Sequence, residues 1–310
     1  MEKYVVGIGA ANADIYGKSN IKIRPHYDHP SIIKTTVGGV TRNVLENISK
    51  LGIKTKLLTA VGDDLYGQFV IDESRKAGID VNHVLKVKDG RTGIFMQVQD
   101  KNNDMHLALC DMSISKNIDI KYIKTKEKLI KGAEAIILDP SLENEVIEYI
   151  FDNFNTPVFV DPISDLYAKK IRPYLSKIYC IKPNRNELQV LANKTINNED
   201  DLLEAYRKVN KKVKQLYVSL GSDGLLYKDE CGIITKKSFV PVDKMVNASG
   251  AGDSCMACLV YGHINNMKAD EIADYCLAAG TITIQSEEAI NPKFSVKLIR
   301  KIIKENYNEL

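Results

Sequence analysis

Near the end of the chain, a run of small residues leads directly into an apolar segment, with one acidic residue at the junction. Gly250, Ala251 and Gly252 precede Asp253. Glycines let a backbone approach a ligand closely, and the free N–H groups at the start of a helix bind anions. A carboxylate there can accept a hydroxyl proton while the N–H groups stabilise a transferring phosphoryl group. The segment predicts a phosphoryl-transfer site, although such an aspartate can also merely complement the helix dipole.

A second polar segment begins with two adjacent glycines. Gly38 and Gly39 precede a helical pattern in which Asn43 and Asn47 are four residues apart. Side chains at this spacing share one face of a helix, so the two amides could bind vicinal hydroxyls or the edge of a base.

Asn12 and Asp14 follow the first apolar run of the chain. In open α/β sheets, ligands bind outside the carboxyl ends of the strands. We therefore expect Asn12 and Asp14 to contact the substrate, with Asp14 accepting hydrogen bonds from two ribose hydroxyls. The alternative is a turn residue that bonds only to its own backbone.

Two further segments follow apolar runs and suit a nucleotide. Asn184 and Glu187 are one helical turn apart, and Glu187 could hold a hydrated Mg²⁺ ion, which usually keeps several waters. Ser219, Gly221 and Gly224 form a segment against which ATP could lie. The Gly-x-x-x-x-Gly-Lys-Ser/Thr pattern does not occur in the sequence, which excludes a P-loop enzyme.

Composition narrows the possible partners. The net charge of +3 is too small to indicate a nucleic-acid partner, and no apolar run approaches the length of a membrane span. We expect a cytoplasmic protein that acts on a small molecule. Cys255 and Cys258 have the spacing of a redox or zinc motif, but they lie in an apolar helical pattern and are interpreted as buried thiols. His26 and His29 are not assigned to a metal.

Short apolar runs alternate with helical patterns along most of the chain. The expected strands are residues 4–10, 56–61, 135–138, 157–160, 178–181 and 216–220. The expected helices include residues 39–51, 69–77, 144–154 and 200–209. This alternation predicts an α/β fold with a mainly parallel central sheet flanked by helices.

Two insertions interrupt the alternation, at about residues 16–37 and 91–113. Residues 92–99 and 105–110 are expected to form a hairpin, and residues 32–37 another β-rich piece. We interpret the insertions as one small antiparallel sheet that projects from a single domain of residues 1–310. Two edge hairpins without a function are the alternative.

Together these segments resemble the ribokinase-like sugar and nucleoside kinase family, also called the PfkB family, over residues 5–292. The Gly38-Gly39-x-x-x-Asn43 pattern is similar to the family's N-terminal signature, and residues 247–253 are similar to its C-terminal signature. The resemblance implies a three-layer fold and an ATP- and Mg²⁺-dependent kinase. It also implies that the small sheet is a lid over the substrate and joins two chains into a homodimer.

The same resemblance implies roles for individual residues. Asp253 would be the general base, and the N–H groups of residues 250–253 would form the anion hole. Asn184 and Glu187 match the magnesium–phosphate motif, and residues 219–221 and 278–283, including Ala279, would approach ATP. The usual aspartate before the Gly-Ala-Gly-Asp loop is replaced by Asn247, so we expect only weak dependence on potassium.

Within the family, Arg42, Asn43 and the Glu46-Asn47 pair resemble the branch that phosphorylates pseudouridine, and Arg42 is a further candidate for substrate binding. The resemblance implies pseudouridine, phosphorylated at its 5′-hydroxyl, as the substrate. A ribokinase or another nucleoside kinase remains an alternative, as does a non-catalytic sugar- or nucleoside-binding sensor on the same fold.

Overall fold

The computed structural model describes residues 3–24, 26–100, 105–239 and 245–308 of the chain. Its strands are β1 (Tyr4–Ile8), β2 (Asn12–Ser19), β3 (Ser31–Gly38), β4 (Lys54–Leu58), β5 (Ala60–Gly62), β6 (Ile79–Asp80), β7 (Leu85–Val87), β8 (Ile94–Gln99), β9 (Met105–Asp111), β10 (Ala135–Leu138), β11 (Val158–Val160), β12 (Cys180–Ile181), β13 (Gln215–Leu216), β14 (Val218–Ser219), β15 (Leu225–Lys228) and β16 (Ile233–Lys236). Its α-helices are α1 (Val40–Lys50), α2 (Leu65–Lys76), α3 (Ile120–Thr125), α4 (Glu127–Lys131), α5 (Asn144–Asn153), α6 (Asp165–Ile171), α7 (Arg185–Ala192), α8 (Glu199–Asn210), α9 (Ala251–Ile264), α10 (Ala269–Ile284) and α11 (Val296–Asn308). Within these ranges, no helix is long and apolar enough to cross a membrane.

Seven of the described strands form one parallel sheet in the order β13-β12-β11-β10-β1-β4-β6. Alternate residues of a strand point to opposite faces, so Val5 packs with α1, α9 and α10, whereas the neighbouring Val6 packs with α5, α7 and α8. Both side chains are fully buried. Two helical layers therefore enclose the sheet, which confirms the predicted three-layer α/β fold.

Two predicted strands are each divided between two sheets. The run at residues 56–61 changes sheets at Thr59, whose carbonyl oxygen accepts a hydrogen bond from the Leu85 N–H group at 2.8 Å and begins the β5–β7 pair. The run at 216–220 divides at Tyr217 between β13 of the central sheet and β14 of the sheet β14-β15-β16. A mostly apolar run does not reveal a change of partner strand, because residues on both sides of the change are buried, as Leu58 and Ala60 are.

A separate four-stranded sheet, here called the small sheet, has the order β3-β2-β8-β9. The β8–β9 pair is antiparallel and confirms the predicted hairpin, but β2 was not predicted as a strand. The β2–β8 pair is parallel, so the expectation of a wholly antiparallel sheet was wrong. Both strands start at the same end of the sheet, where the Ala13 N–H group donates to the Gly93 carbonyl oxygen, and they therefore run in the same direction.

Candidate active site

Polar side chains collect where several strands of the central sheet end. Asp139, Asp161 and Lys182 directly follow β10, β11 and β12, and helices α1 and α9 begin beside them. The carboxyl edge of a parallel sheet is the usual place for a ligand site. The sheet thus brings together residues that are far apart in the sequence.

Helix α9 begins with a half-buried turn of backbone that has a glycine at its start. Gly250 has φ +80°, and a Cβ atom added there would lie 1.8 Å from the Ala289 carbonyl oxygen, so this position requires glycine. No side chain of the described residues caps the helix, and Ala251 and Gly252 are half-buried. Its first N–H groups can therefore receive an anion, as the sequence predicts.

Asp253 lies in the first turn of α9 and is 8% exposed. The Asn43 side-chain nitrogen donates to its Oδ2 atom at 3.2 Å and so connects α1 to α9. Burial, helped by the negative charge of Asp161, raises the pKa of Asp253 to about 7, although Asn43 and Lys182 act in the opposite direction. A carboxylate with a pKa near neutrality is suited to general-base catalysis.

Arg42 lies behind Asn43 and is 3% exposed. One guanidinium nitrogen donates to the Asn43 Oδ1 atom at 3.4 Å, another pairs with Glu46 at 2.5 Å, and Nε donates to Ser74 at 3.4 Å. These contacts turn the amide nitrogen of Asn43 toward Asp253. Asn47 instead donates to the Asn43 backbone oxygen at 3.1 Å and is buried, so the two amides do not form the predicted pair that faces a ligand.

Asp14 lies on β2 and is half-buried. Its Oδ1 atom accepts a hydrogen bond from the Asn12 amide at 2.5 Å, and its Oδ2 atom accepts one from the Tyr16 hydroxyl at 3.1 Å. Burial raises the pKa of Asp14 despite these bonds. Gly38 makes room for this carboxylate, since a Cβ atom there would lie 2.2 Å from it, and Gly39 at φ +99° turns the chain into α1.

Asn184 and Glu187 form a capping box at the start of α7. The Asn184 Oδ1 atom accepts from the Glu187 N–H group at 2.9 Å, and the Glu187 Oε2 atom accepts from the Asn184 N–H group at 2.8 Å. Burial and the nearby Asp161 carboxylate raise the pKa of Glu187. No group of three or more His, Cys, Asp or Glu side chains able to hold a metal exists within the described residues.

The segment after β14 contains one open glycine and one that is tightly packed. Gly221, at φ +63°, has no atom within 4 Å of the place where a Cβ would be, so a ligand could lie against it. Gly224 differs, because a Cβ atom there would come 2.0 Å from the Lys236 carbonyl oxygen. Gly224 is thus required by the approach of β16 rather than by a ligand. Ser219 is half-buried, and its N–H group donates to the Pro183 carbonyl oxygen at 2.9 Å.

On helix α10, the residue with open space beside it is Gly280 and not the predicted Ala279. Ala279 is fully buried in the core against α9, so its side chain cannot contact ATP. Gly280 is half-buried and has open space where a Cβ would be. Gly280 therefore leaves open space against which a ligand could lie. Thr283 donates to Ser254 at 2.9 Å and joins this helix to α9.

Asp161 and Lys182 are site residues that the sequence analysis missed. Lys182 Nζ lies 2.9 Å from the Asp161 Oδ2 atom, and a Cβ atom added to Gly252 would lie 3.3 Å from the same Nζ. The available signal was their position, because each is the first residue after a buried parallel strand. Cys255 and Cys258 are free buried thiols, as predicted.

Comparisons with known proteins agree with this geometry. Residues 2–295 match the family described as pfkB family carbohydrate kinase. A pseudouridine kinase of Escherichia coli K12 is 32% identical over 97% of this chain and 96% of its own length, and an uncharacterized sugar kinase of the same strain is 28% identical over 95% of this chain and 82% of its own. The structure of Arabidopsis thaliana ribokinase complexed with ribose and ATP superimposes with a TM-score of 0.83 at 21% identity, covering 98% of this chain and 99% of the ribokinase.

This chain belongs to the PfkB family of carbohydrate kinases. The family match spans almost the whole chain, and the ribokinase structure shares its fold. Both the family resemblance and the ribokinase-like fold predicted from the sequence are confirmed.

Proposed function

We propose that this sugar or nucleoside kinase transfers the γ-phosphoryl group of ATP to the 5′-hydroxyl of pseudouridine. The observation that carries the proposal is Asp253, a buried carboxylate at an uncapped helix start, bonded to Asn43 at 3.2 Å. The similarity to a pseudouridine kinase, at 32% identity, supports the choice of substrate. The products are pseudouridine 5′-phosphate and ADP.

In the proposed reaction, Asp253 takes the proton of the 5′-hydroxyl as its oxygen attacks the γ-phosphorus. The new oxygen–phosphorus bond forms as the bond between the γ-phosphorus and the bridging oxygen breaks, and ADP leaves with that oxygen. The N–H groups at the start of α9 stabilise the negative charge on the transferring group. Positioning and electrostatics supply most of the acceleration in such reactions.

ATP and Mg²⁺ fit the residues at the carboxyl edge of the sheet. Gly221 and Gly280 leave open space beside the backbone, and Ser219 lies at the same edge. Glu187 is the proposed metal residue, because Mg²⁺ binds oxygen ligands and often takes only one or two carboxylates with several waters. When bound, the ion would neutralise charge on the nucleotide phosphates.

Asp14 and Asn43 are proposed to hold the ribose 2′- and 3′-hydroxyls, with Asn12 orienting Asp14. Phe95 pairs directly with Asp14 in the β2–β8 register, so both side chains point to the same face of the small sheet. Tyr16 also lies on that face and bonds to Asp14. The small sheet would then be a lid whose aromatic residues contact the base while Asp14 holds the sugar.

Steady-state kinetics with ATP and Mg²⁺ on pseudouridine, uridine, ribose and fructose test the proposal. We expect pseudouridine to give the highest kcat/KM, because a site that bonds its additional ring N–H group would leave a buried acceptor unpaired with uridine. A higher value for ribose or fructose would favour a sugar kinase. Equal values for uridine and pseudouridine would indicate a broader nucleoside kinase, and no turnover at all would favour a sensor.

We also propose that two chains associate through the small sheet. Ile33, Leu107 and Leu109 are 70%, 53% and 57% exposed. Asp14 pairs with Phe95, and the neighbouring Ile15, which points to the other face of the sheet, pairs with Met96. Met96 pairs with Leu109, so Leu109 lies on the face opposite to Asp14. Ile33 and Leu107 lie on the same face as Leu109 by the same alternation. An apolar face of this kind with β-edges is suited to a second copy of the same sheet.

A further inference from the structure

The ion pair between Asp161 and Lys182 lies in the site and joins a buried lysine to a partly exposed aspartate. The Lys182 side chain is 4% exposed and that of Asp161 is 13% exposed, with 2.9 Å between Nζ and Oδ2. Burial alone would lower the pKa of Lys182, but the Asp161 carboxylate more than reverses this effect and raises it. Removing two charges from water costs free energy that a pair of this kind often does not recover, so stability alone is a weak reason for its presence.

The loop that holds Asp161 adopts a strained conformation. Ile163 has φ +66°, which is unusual for a β-branched residue. Its N–H group donates to the Asp161 Oδ1 atom at 3.0 Å, and the next N–H group, of Ser164, donates to the Pro162 carbonyl oxygen at 2.7 Å. Strain of this kind persists where the surrounding structure fixes it, and it concentrates at functional sites. One oxygen of Asp161 is thus fixed by its own loop, and the other faces Lys182.

The pair lies directly against the loop that would receive the phosphoryl group. A Cβ atom on Gly252 would be 3.3 Å from Lys182 Nζ and 3.5 Å from the Asp161 Oδ2 atom. Gly252 immediately precedes Asp253 and belongs to the first turn of α9. The absence of a side chain at residue 252 therefore leaves room for the buried Lys182 ammonium group and the partly exposed Asp161 carboxylate beside this turn.

We propose that Asp161 and Lys182 act as a positioning pair for the phosphoryl-transfer loop, in which Asp161 holds the Lys182 ammonium group against Gly252 to balance the charge of Asp253. This inference rests on the proposed role of Asp253 but not on the identity of the substrate. It assigns a function to two residues that do not belong to the glycine-rich segments.

The proposal makes opposite predictions for the two partners. The groups that act on Asp253 are Asp14 from β2, Asn43 from α1, Asp161 after β11 and Lys182 after β12. Removing the negative charge of Asp161 makes ionisation of Asp253 easier and lowers its pKa. Removing the positive charge of Lys182 makes ionisation harder and raises the pKa.

The decisive experiment is a titration of Asp253 by ¹³C NMR in protein labelled at the aspartate side-chain carbons. The Asp253 resonance is assigned by its loss in Asp253→Asn. We expect Asp161→Asn to lower the apparent pKa by about one unit or more and Lys182→Met to raise it by about as much, because neighbouring charges commonly shift a pKa by such amounts. The double variant, which keeps the site neutral, should return the value toward that of the unchanged protein.

A half-buried ion pair elsewhere provides the matched control. Lys56 and Asp80 are 3.0 Å apart, and Asp80→Asn and Lys56→Met should leave the Asp253 titration unchanged. Shifts of the same sign for Asp161→Asn and Lys182→Met, or no shift, would overturn the proposal. If one single variant does not fold, the other still tests the proposal, because its Asp253 titration must shift in the stated direction while that of the double variant stays near the value of the unchanged protein.

The titration needs no substrate, so it remains informative if the chain phosphorylates nothing in the kinetic assays. In that case the proposed function fails while the effect of the pair on Asp253 can still be measured. In an active enzyme, the acid limb of the plot of kcat/KM against pH should move with the NMR titration, because both report the free enzyme. A merely structural role would reduce the amount of folded protein without moving that limb in opposite directions.

Discussion

Replacing Asp253 by Asn should nearly abolish turnover and, at pH 8, stabilise the folded protein. The substitution keeps an oxygen that can accept the hydrogen bond from Asn43, now at 3.2 Å, but removes the group that accepts the substrate proton. Loss of a general base lowers the rate by about 10²–10⁴-fold. ATP binding should be largely retained, because the N–H groups of α9 are unchanged.

The pH dependence of the unchanged enzyme follows from the same residue. Burial raises the pKa of Asp253 to about 7, so the carboxylate should be mostly ionised at pH 8 and about one-tenth ionised at pH 6. Since kcat/KM reports groups of the free enzyme, it should fall about tenfold from pH 8 to pH 6 and about tenfold more at pH 5. A flat profile between pH 5 and pH 8 would refute the assignment of Asp253 as the base.

The stability prediction requires the sign to be worked out. A carboxyl group whose pKa is raised from 3.8 to about 7 binds more protons in the folded state, so its contribution to stability is lost as pH rises through that interval. The shift corresponds to at most about 4 kcal/mol at pH 8. An amide does not ionise, and Asp253→Asn should therefore have a higher Tm than the unchanged protein at pH 8 and a similar Tm at pH 4.

Thermal unfolding at the two pH values and kinetics on the same preparations test both parts. Asp270→Asn is a useful control, because the pKa of Asp270 is lowered by its hydrogen bond to Lys236, so this variant should lose stability at pH 8. Turnover by Asp253→Asn above about one-tenth of the original rate would contradict the catalytic role. A lower Tm for Asp253→Asn at pH 8 would contradict the inferred electrostatics.

Three further predictions concern the metal, potassium and assembly. Glu187→Gln should raise the Mg²⁺ concentration needed for half-maximal activity without abolishing nucleotide binding, and an unchanged Mg²⁺ titration would remove Glu187 from the site. Activity without sodium or potassium should stay within a few-fold of the activity in potassium. The reason is that the Asn247 amide donates a hydrogen bond to the Glu287 carbonyl oxygen at 3.0 Å, which a carboxylate could not do. Strong activation by potassium would contradict this prediction. Light scattering should show a dimer at micromolar concentration, which Leu109→Lys should disrupt. Leu65→Lys, at a more exposed leucine of helix α2, is the control and should not disrupt it. A monomeric unchanged protein would reject the assembly.

Much of the fold could be predicted because local patterns determine it. Parallel strands buried on both faces are continuously apolar, and the residues around Asp253 carry their own signal in the adjacent glycines. Gly250 and Gly39 both have positive φ values, so the glycines that marked the site in the sequence are required by its backbone. Here local conformation and function coincide, and the sequence is therefore informative.

The remaining features depend on contacts between distant segments. The sequence contains Gly221 and Gly224 as equivalent candidates, but only the approach of Lys236 shows that Gly224 is structural. Likewise, Ala279 and Gly280 are neighbours on one helix, and the packing of α9 decides which of them is buried. Spacing along one helix cannot specify which face a second helix covers.

The pair of Asp161 and Lys182, which the sequence analysis missed, also depends on a contact between distant segments. Each residue alone is an ordinary charge after a strand, and their interaction exists only because β11 and β12 are adjacent and in register, with Val160 opposite Ile181. That register places the next residue of each strand side by side at the sheet edge. A search for charged residues that directly follow adjacent parallel strands would have found both.

The energetics of Asp253 explain why these neighbours matter. A buried carboxylate that must ionise to work lowers the free energy of unfolding. A positive charge that acted more strongly on Asp253 would remove this loss of stability. The same cation would also lower its pKa and make it a weaker base, since a base is most effective when its pKa is near the working pH. Asp161 holds Lys182 at 2.9 Å, and its own negative charge offsets part of the effect of the ammonium group on the pKa of Asp253. The observed arrangement therefore retains some instability at residue 253 in exchange for a base that is strong enough to accept a hydroxyl proton.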